Sequence, residues 1–93
     1  SALLLLDETG RELYFPYTAE AAPEVDVRLA AVRVPVDRGI AGWVVRTGVA
    51  EIVHDASRDE RWYPEVDRQT GMETRSLLTA PLRSRHGIVG VIQ

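Results

Sequence analysis

The segment from Gly39 to Gly48, GIAGWVVRTG, constrains the fold more than any other part of the chain. Its apolar side chains follow the i, i+3, i+4, i+7 spacing of one helical face: Ile40, Trp43, Val44 and Thr47. Gly48 suits the left-handed cap that ends such a helix. Gly42 inside the helix costs about 1 kcal/mol relative to alanine, which predicts that a neighbouring backbone approaches closely there. A helix this short is marginal alone in water, so the segment must pack against a larger apolar surface.

Strand-like patterns precede this helix. An apolar run at residues 2–6 and an alternating run at residues 12–17 flank Asp7-Glu-Thr-Gly10, which predicts a β-hairpin. Residues 18–26 indicate a loop or a frayed helical turn. Residues 27–36 alternate mostly as a strand, and Pro35 is typical of an edge position.

Further strands are predicted after the helix, at residues 51–54, 74–82 and 88–93. Between the first two, Ser57 could cap a helical turn over residues 58–62, and residues 63–70 could form a second helix, with Pro64 at its start. Strands joined as hairpins, with the helices gathered in the middle, predict an α+β fold. We expect a central antiparallel β-sheet with short helices over one face.

Composition narrows the class of protein. At 93 residues, with 45% hydrophobic and 27% charged residues, the chain is expected to form a single folded domain over residues 1–93. The net charge of −3, without a basic stripe, argues against nucleic-acid binding. No apolar run approaches the roughly 20 residues that cross a bilayer, so we expect no membrane partner and a cytoplasmic location. Both ends read as strands that a longer chain would continue, which indicates a fragment of a larger protein.

Two groups of residues have both a possible functional role and a structural explanation. His54-Asp55-x-Ser57 has the residue types of a hydrolase triad, but triads are assembled across elements, and capping by Asp55 and Ser57 explains the pattern better. His54 and His86 lack the spacing of a zinc motif.

The second group combines arginines, aromatic rings and hydroxyls. Arg58 and Arg61 beside Trp62 and Tyr63 could hold an anion and a flat heterocycle, or the rings could simply cover a small core. The hydroxyls of Thr74 and Ser76 suit a ligand cavity, or only satisfy neighbouring backbone groups.

These residues together resemble the GAF domain family from Val34 to the end of the chain. The matching motifs are Gly39-Ile-Ala-Gly42, Trp43-Val44, Thr47-Gly48, Asp55, Asp59-x-Arg61 with its aromatic neighbour, Thr74-Arg-Ser76-Leu-Leu78, Pro81-Leu82 and Gly90-Val-Ile92. The resemblance implies a PAS-like antiparallel sheet with a ligand cavity beneath the helices of the middle segment. It also implies a sensory module that regulates an attached output domain, often as a homodimer through terminal helices. Those helices and the family's final strand have no counterpart in this sequence.

The resemblance leaves the ligand open, and no cofactor is assigned. Within the family that this chain resembles, the members that bind cyclic nucleotides have a sequence pattern of Asn-Lys followed by Phe-x-x-x-Asp-Glu. Here His54-Asp55 and Tyr63-x-x-x-Asp67-Arg68 stand in those places, so the aromatic residue and the aspartate match while the lysine and the glutamate do not. The lack of cysteine excludes bilin attachment and cysteine-dependent methionine sulfoxide reduction. Haem would need His54 as its axial ligand.

Two hypotheses follow. The preferred one is a small-molecule sensor without enzymatic activity, coupled to a histidine kinase, a cyclase or phosphodiesterase, or a transcriptional regulator. Trp43, Trp62 and Tyr63 would enclose its cavity. Its polar site residues would be His54, Asp55, Arg58, Arg61, Asp67, Thr74 and Ser76, with Arg58 or Arg61 meeting a negative group. The alternative is a ligand-free interaction and dimerisation module with a filled core, in which Trp62 and Tyr63 pack against Trp43.

Overall fold

The computed structural model describes residues 2–17 and 23–93. These residues form, in chain order, strands β1 (Leu3–Leu6) and β2 (Glu12–Tyr14), helix α1 (Pro23–Ala31), strand β3 (Arg33–Pro35), helix α2 (Gly39–Thr47), strand β4 (Glu51–Val53), a 3-10 helix (Ala56–Arg58), helix α3 (Glu65–Thr70), and strands β5 (Leu77–Ser84) and β6 (Gly87–Ile92). The strands build one six-stranded antiparallel sheet in the order β3-β2-β1-β6-β5-β4. The predicted α+β fold with a central antiparallel sheet is confirmed.

The middle of the sheet joins the two ends of the chain. Strand β1 pairs with β6 so that Leu4 lies opposite Val91, and both side chains are almost fully buried. The hairpin predicted around Asp7 is present, with β2 pairing antiparallel to β1. Because neighbouring side chains of a strand point to opposite faces, Leu4 and Val91 define the face that carries the core.

Helix α2 packs on this face against β3, β5 and β6. The predicted close backbone approach at Gly42 is confirmed, since a Cβ atom there would overlap the carbonyl group of Val36. Gly48 has a φ of 70° and caps the helix as predicted, with its N–H donating to the Val44 carbonyl at 2.8 Å. The predicted helical face is correct for Ile40 and Val44 but wrong for Trp43 and Thr47, which are exposed. Ala41 takes the place of Trp43 on the buried face.

The strand predicted over residues 27–36 is wrong for its first half. Residues up to Ala31 belong to helix α1, and only β3, from Arg33 to Pro35, is a strand. Pro23 and two acidic residues occupy the first turn of α1, where a fixed φ and a negative charge favour a helix start. Residues 18–26 were expected to form a loop or a frayed helical turn; residues 18–22 lie outside the described part, and residues from Pro23 onward are helical.

Helices α1 and α3 pack against each other beside α2. Helix α3 begins after Pro64 and is closed by Gly71 with a φ of 75°, close to the predicted bounds. In residues 2–17 and 23–93, no helix has the length and apolar character needed to cross a membrane.

Candidate functional site

A cavity of about 170 Å³ lies between the sheet and the segment that carries helices α2 and α3. Most of its wall is apolar or aromatic, and Asp67, Thr74 and Gln93 add a carboxylate, a hydroxyl and an amide. The lining residues are Leu4, Phe15, Val34, Gly39, Ile40, Ala41, Trp62, Tyr63, Val66, Asp67, Thr74, Leu77 and Gln93. A cavity of about 150 Å³ in a protein core can hold a benzene molecule, so this one admits a compact guest.

Trp62 and Tyr63 both line the cavity. A turn aims them inward, because the Trp62 N–H donates to the Asp59 carbonyl at 2.9 Å. Gly39 lets Tyr63 come close, since a Cβ atom at Gly39 would lie 2.9 Å from the Tyr63 Cβ. Gly39 has a φ of 75°, a backbone conformation that glycine adopts without strain. The glycine at the start of α2 therefore fixes the width of the cavity at this point.

Asp67 and Thr74 form the polar end of the cavity. The backbone N–H of Thr74 donates to Asp67 Oδ2 at 2.6 Å, and the Thr74 hydroxyl donates to Asp67 Oδ1 at 2.9 Å. These bonds fasten α3 to the irregular segment that leads into β5. Each carboxylate oxygen has a second lone pair, so Asp67 can still accept hydrogen bonds from a guest.

Asp67, Thr74 and Trp62 also line a second, wider depression on the outside of the molecule. We call this depression the outer groove. It has a volume of about 590 Å³ and includes His54, Asp55 and further polar residues, namely Ser57, Arg68, Glu73 and Arg75. Because the cavity and the outer groove share three lining residues, that shared wall is where a guest in the cavity would meet the polar surface.

Arg61 is held by carboxylates away from the cavity. Its guanidinium contacts Asp59 Oδ2 at 2.8 Å and Glu51 Oε1 at 3.1 Å, and it lies 5.3 Å from the centre of the Trp43 ring. The hydrogen bonds from Arg61 hold the pKa of Asp59 below its usual range. The same hydrogen bonds, first to Asp59 and then to Glu51, raise the pKa of Arg61. This cluster braces the outer wall and leaves Arg61 out of the cavity lining.

Other predicted site residues also lie outside the cavity. Trp43 is on the outer side of α2, with Arg46 and Arg61 over its ring at 5.8 and 5.3 Å from the ring centre. The Arg58 side chain is 88% exposed and pairs with Asp55 at 3.4 Å. Ser76 is exposed before the start of β5. The structure thus brings Trp62, Tyr63, Asp67 and Thr74 to the cavity, and His54 and Asp55 to the outer groove.

Asp55 caps the 3-10 helix. Its Oδ1 accepts hydrogen bonds from the backbone N–H of Ser57 at 3.1 Å and from the Ser57 hydroxyl at 2.6 Å. The hydroxyl bond is the main reason that the pKa of Asp55 is lowered. The cap residue is therefore Asp55, and Ser57, predicted as the cap, lies within the helix. A serine that donates to a capping aspartate matches the structural interpretation of this motif better than a triad.

Several lining residues were not identified from the sequence. They come from distant parts of the chain that the sheet brings together: Leu4, Phe15, Val34 and Gln93. Gln93 is positioned by a hydrogen bond in which the buried Thr79 hydroxyl donates to its side-chain oxygen at 3.0 Å. The alternation of apolar side chains along each strand predicts that Leu4 and Val34 face the core. It does not predict that a cavity lies beside them. Within the described residues no cluster of three or more histidine or acidic side chains is placed to hold a metal ion.

Comparisons with known proteins agree on one family. A family model described as GAF domain matches residues 1–93. The chain is 33% identical over 98 residues to dual 3',5'-cyclic-AMP and -GMP phosphodiesterase 11A of Takifugu rubripes, a match that covers 99% of the chain and 11% of that protein.

Two solved structures have the same fold. The GAF domain from the Acinetobacter phosphoenolpyruvate-protein phosphotransferase superimposes with a TM-score of 0.70 at 22% identity, covering 97% of this chain and 49% of that one. Free methionine-R-sulfoxide reductase from Neisseria meningitidis superimposes with a TM-score of 0.68 at 23% identity, covering 96% and 46% respectively. The chain thus spans about half of each solved structure and about a tenth of the phosphodiesterase.

Proposed function

Because this chain belongs to the GAF domain family, we propose that it is a sensory domain that binds a small molecule in the cavity between sheet and helices. Binding would regulate an output domain elsewhere in a longer polypeptide. A histidine kinase, a cyclase or phosphodiesterase, or a transcriptional regulator could serve as that output. The phosphodiesterase relative supports this arrangement, because the chain corresponds to only 11% of it.

The observation that carries the proposal is the cavity itself. It has an apolar and aromatic wall with a few polar groups, which is the usual construction of a small-molecule site. Free methionine-R-sulfoxide reductase, which shares the fold, was solved in complex with its substrate, so the fold can hold a small guest. We assign the cavity to binding and not to catalysis, because apolar and aromatic side chains make up most of its lining.

The alternative, a ligand-free interaction module, predicts a filled core with Trp62 and Tyr63 packed against Trp43. The open volume beside Trp62 and Tyr63, and the position of Trp43 on the outer side of α2, favour the sensor.

A whole cyclic nucleotide is larger than this cavity, since drug-sized guests occupy pockets of about 300 Å³ or more. Cyclic AMP and cyclic GMP are nevertheless informative compounds, because of the phosphodiesterase relative.

Filling the cavity tests the proposal. Ala41 is buried in α2 and lines the cavity, so Ala41→Leu should place a larger side chain in the open space without disturbing the exterior. We expect a screen of small cationic, neutral and anionic compounds, including cyclic nucleotides, to yield one that raises the melting temperature of the wild-type chain. At a hundredfold excess over the dissociation constant the stabilisation is about 2.7 kcal/mol. The variant should fold and lose this shift.

Thr47→Leu is the matched control, because Thr47 is an exposed position of the same helix. It should keep the ligand-induced shift. If no compound shifts the wild-type melting temperature, or if the shift persists in Ala41→Leu, the ligand-free module becomes the better explanation.

A further inference from the structure

The charge inside the cavity points to a class of ligand. Among the described residues that line the cavity, Asp67 is the one with an ionised side chain, and the arginines lie elsewhere. A charge facing a partly dry space is costly unless it is paired. The ion pairs formed by residues 2–17 and 23–93 do not include Asp67. Its negative charge is therefore available to a guest.

The bonds from Thr74 fix this carboxylate without neutralising it. The backbone N–H and the hydroxyl of Thr74 are uncharged donors, at 2.6 and 2.9 Å. They hold one oxygen each and leave a lone pair on each oxygen free. A rigid carboxylate loses little conformational entropy when it binds a cation, which is the advantage of a preorganised site.

The arginines next to Asp67 and Thr74 in the chain contact other carboxylates. Arg68 contacts Glu65 Oε1 at 2.7 Å, and Arg75 lies 3.6 Å from Glu73 with a highly exposed side chain. Arg61, the best-buried of the cations discussed, is held by Asp59 and Glu51. An anionic ligand in the cavity would therefore meet Asp67 as a like charge, and no arginine among the described lining residues would offset it.

The rest of the wall suits an organic cation. Phe15, Trp62 and Tyr63 line the same cavity, and aromatic faces attract ammonium groups through their electron-rich rings. The volume of about 170 Å³ limits the apolar body to about the size of a benzene ring. Asp67 also lines the outer groove, so the charged group of the guest would lie at the polar end, with its apolar body inward.

We propose that the cavity binds a compact organic ammonium ion, with its positive charge beside Asp67 and its apolar body between the aromatic wall and α2. This inference rests on the proposed function of the same cavity and names the chemical class of its ligand. It differs from the sequence-based expectation of a negative group meeting Arg58 or Arg61.

Three compounds of nearly the same shape test the charge preference: benzylammonium, benzyl alcohol and benzoate. Each is titrated into the 93-residue chain at pH 7 by calorimetry, with melting temperatures measured in parallel. A charge-assisted hydrogen bond is stronger than a neutral one, so we expect benzylammonium to bind about tenfold more tightly than benzyl alcohol. Benzoate should bind more weakly than the alcohol. This comparison uses the wild-type chain, so it does not depend on a variant that folds poorly.

Asp67→Asn keeps an oxygen to accept from Thr74 and removes the charge. It should bind benzyl alcohol much as the wild type does and lose the tenfold preference for the ammonium. Glu73→Gln removes an exposed carboxylate of the outer groove and is the matched control, which should keep the preference.

The outcomes separate this inference from the proposed function. If benzoate or a cyclic nucleotide binds more tightly than benzylammonium, or if Asp67→Asn retains the preference, the inference is overturned and the cavity remains a binding site. If no compound of any charge binds to the wild-type chain, both the inference and the sensory function are rejected.

Discussion

Arg61 supports the cavity from outside. It contacts Asp59 at 2.8 Å and Glu51 at 3.1 Å, and its guanidinium lies over the Trp43 ring. The backbone N–H of Arg61 also donates to Asp59 Oδ1 at 2.8 Å. Trp62 is the next residue in the chain, so these contacts fix the backbone from which a cavity wall projects. Arg61, one of the two arginines expected to meet a negative group of the ligand, instead orients Trp62, which lines the cavity.

The pKa shift of Asp59 gives this cluster a testable pH dependence. At pH 7 the free energy of unfolding of the Asp59→Asn variant should be about 1–2 kcal/mol lower than that of the wild type. The reason is that Arg61 loses an ionised partner that is mostly shielded from water. The pKa of Asp59 is lowered in the folded state. The stabilisation from ionised Asp59 is therefore complete above the pKa of an unfolded aspartate, about 4. It is lost as the pH falls through the lower pKa that Asp59 has in the folded state.

Urea denaturation at pH 7, 5, 4 and 3 measures this difference between wild type and variant. The difference should be constant from pH 7 to 5 and shrink below about pH 4. Asp37→Asn is the control, since Asp37 lies 4.0 Å from Arg38 and both side chains are well exposed. It should change stability by less than about 0.5 kcal/mol. A difference for Asp59→Asn that remains unchanged at pH 3 would show that its ionised form is not the stabilising one.

Two hydrogen bonds from Thr74 to Asp67 help to link α3 to the segment before β5. Thr74→Val keeps the shape of the side chain and the backbone bond to Asp67, but removes the hydroxyl bond of 2.9 Å. We expect a loss of about 1–2 kcal/mol in the free energy of unfolding, because a partly buried carboxylate loses a donor. Amide hydrogen exchange should accelerate in α3 and at Thr74 before other elements respond.

Ser76→Ala is the matched control for this change. Ser76 is an exposed residue with a hydroxyl group in the same segment. Its substitution should leave the free energy of unfolding and the amide hydrogen exchange close to those of the wild type. Equal effects of the two substitutions would mean that the segment is held by its backbone alone.

The elements differ in how far the sequence predicts them. Helix α2 follows from its apolar spacing and its glycine cap, and both hairpins follow from turn residues between apolar runs. Residues 27–31 of helix α1 are predicted as a strand because Val27 and Leu29 lie two residues apart, as do Val32 and Val34 around the start of β3. The helix start at Pro23 was the competing signal. A short amphipathic helix and a strand cannot be separated by periodicity alone over so few residues.

The candidate site was predicted where neighbours in sequence stay neighbours in space. Trp62, Tyr63, Asp67 and Thr74 lie in one continuous segment and meet at the cavity. Trp43 lies outside because the buried side of α2 carries Ile40, Ala41 and Val44, and Gly42 faces the Val36 backbone, a choice that tertiary contact decides. Phe15 and Gln93 reach the cavity only through strand pairing, which the sequence does not specify residue by residue.

The hydrophobic core consists of two clusters with the cavity between them. One cluster includes Leu4, Phe15 and Val34, and the other includes Ile40 and Trp62. All five residues line the cavity. A guest there would contact both clusters at once and add apolar contacts that an empty space forfeits. Binding would thus couple the central strands to the β4–β5 side of the sheet.

The other face of the sheet carries apolar side chains that α2 does not cover. Ile52 and Leu78 lie directly opposite each other on β4 and β5, and they are 67% and 58% exposed. Ile92 on β6 is also exposed on this face, in register with Ala80. Contiguous exposed apolar surface promotes association. We therefore expect the 93-residue chain to self-associate as its concentration rises.

The double variant Ile52→Thr with Leu78→Thr should suppress this association. Threonine keeps a high strand propensity, so the sheet should persist while the apolar area falls. Sedimentation velocity over a hundredfold range of concentration measures the effect, and circular dichroism checks the fold. Val27→Thr is the control, because Val27 is 73% exposed on α1, away from this face, and it should leave association unchanged. If the wild-type chain stays monomeric throughout, or if the double variant associates equally, the contacts of this sheet face do not control the behaviour of the molecule in solution.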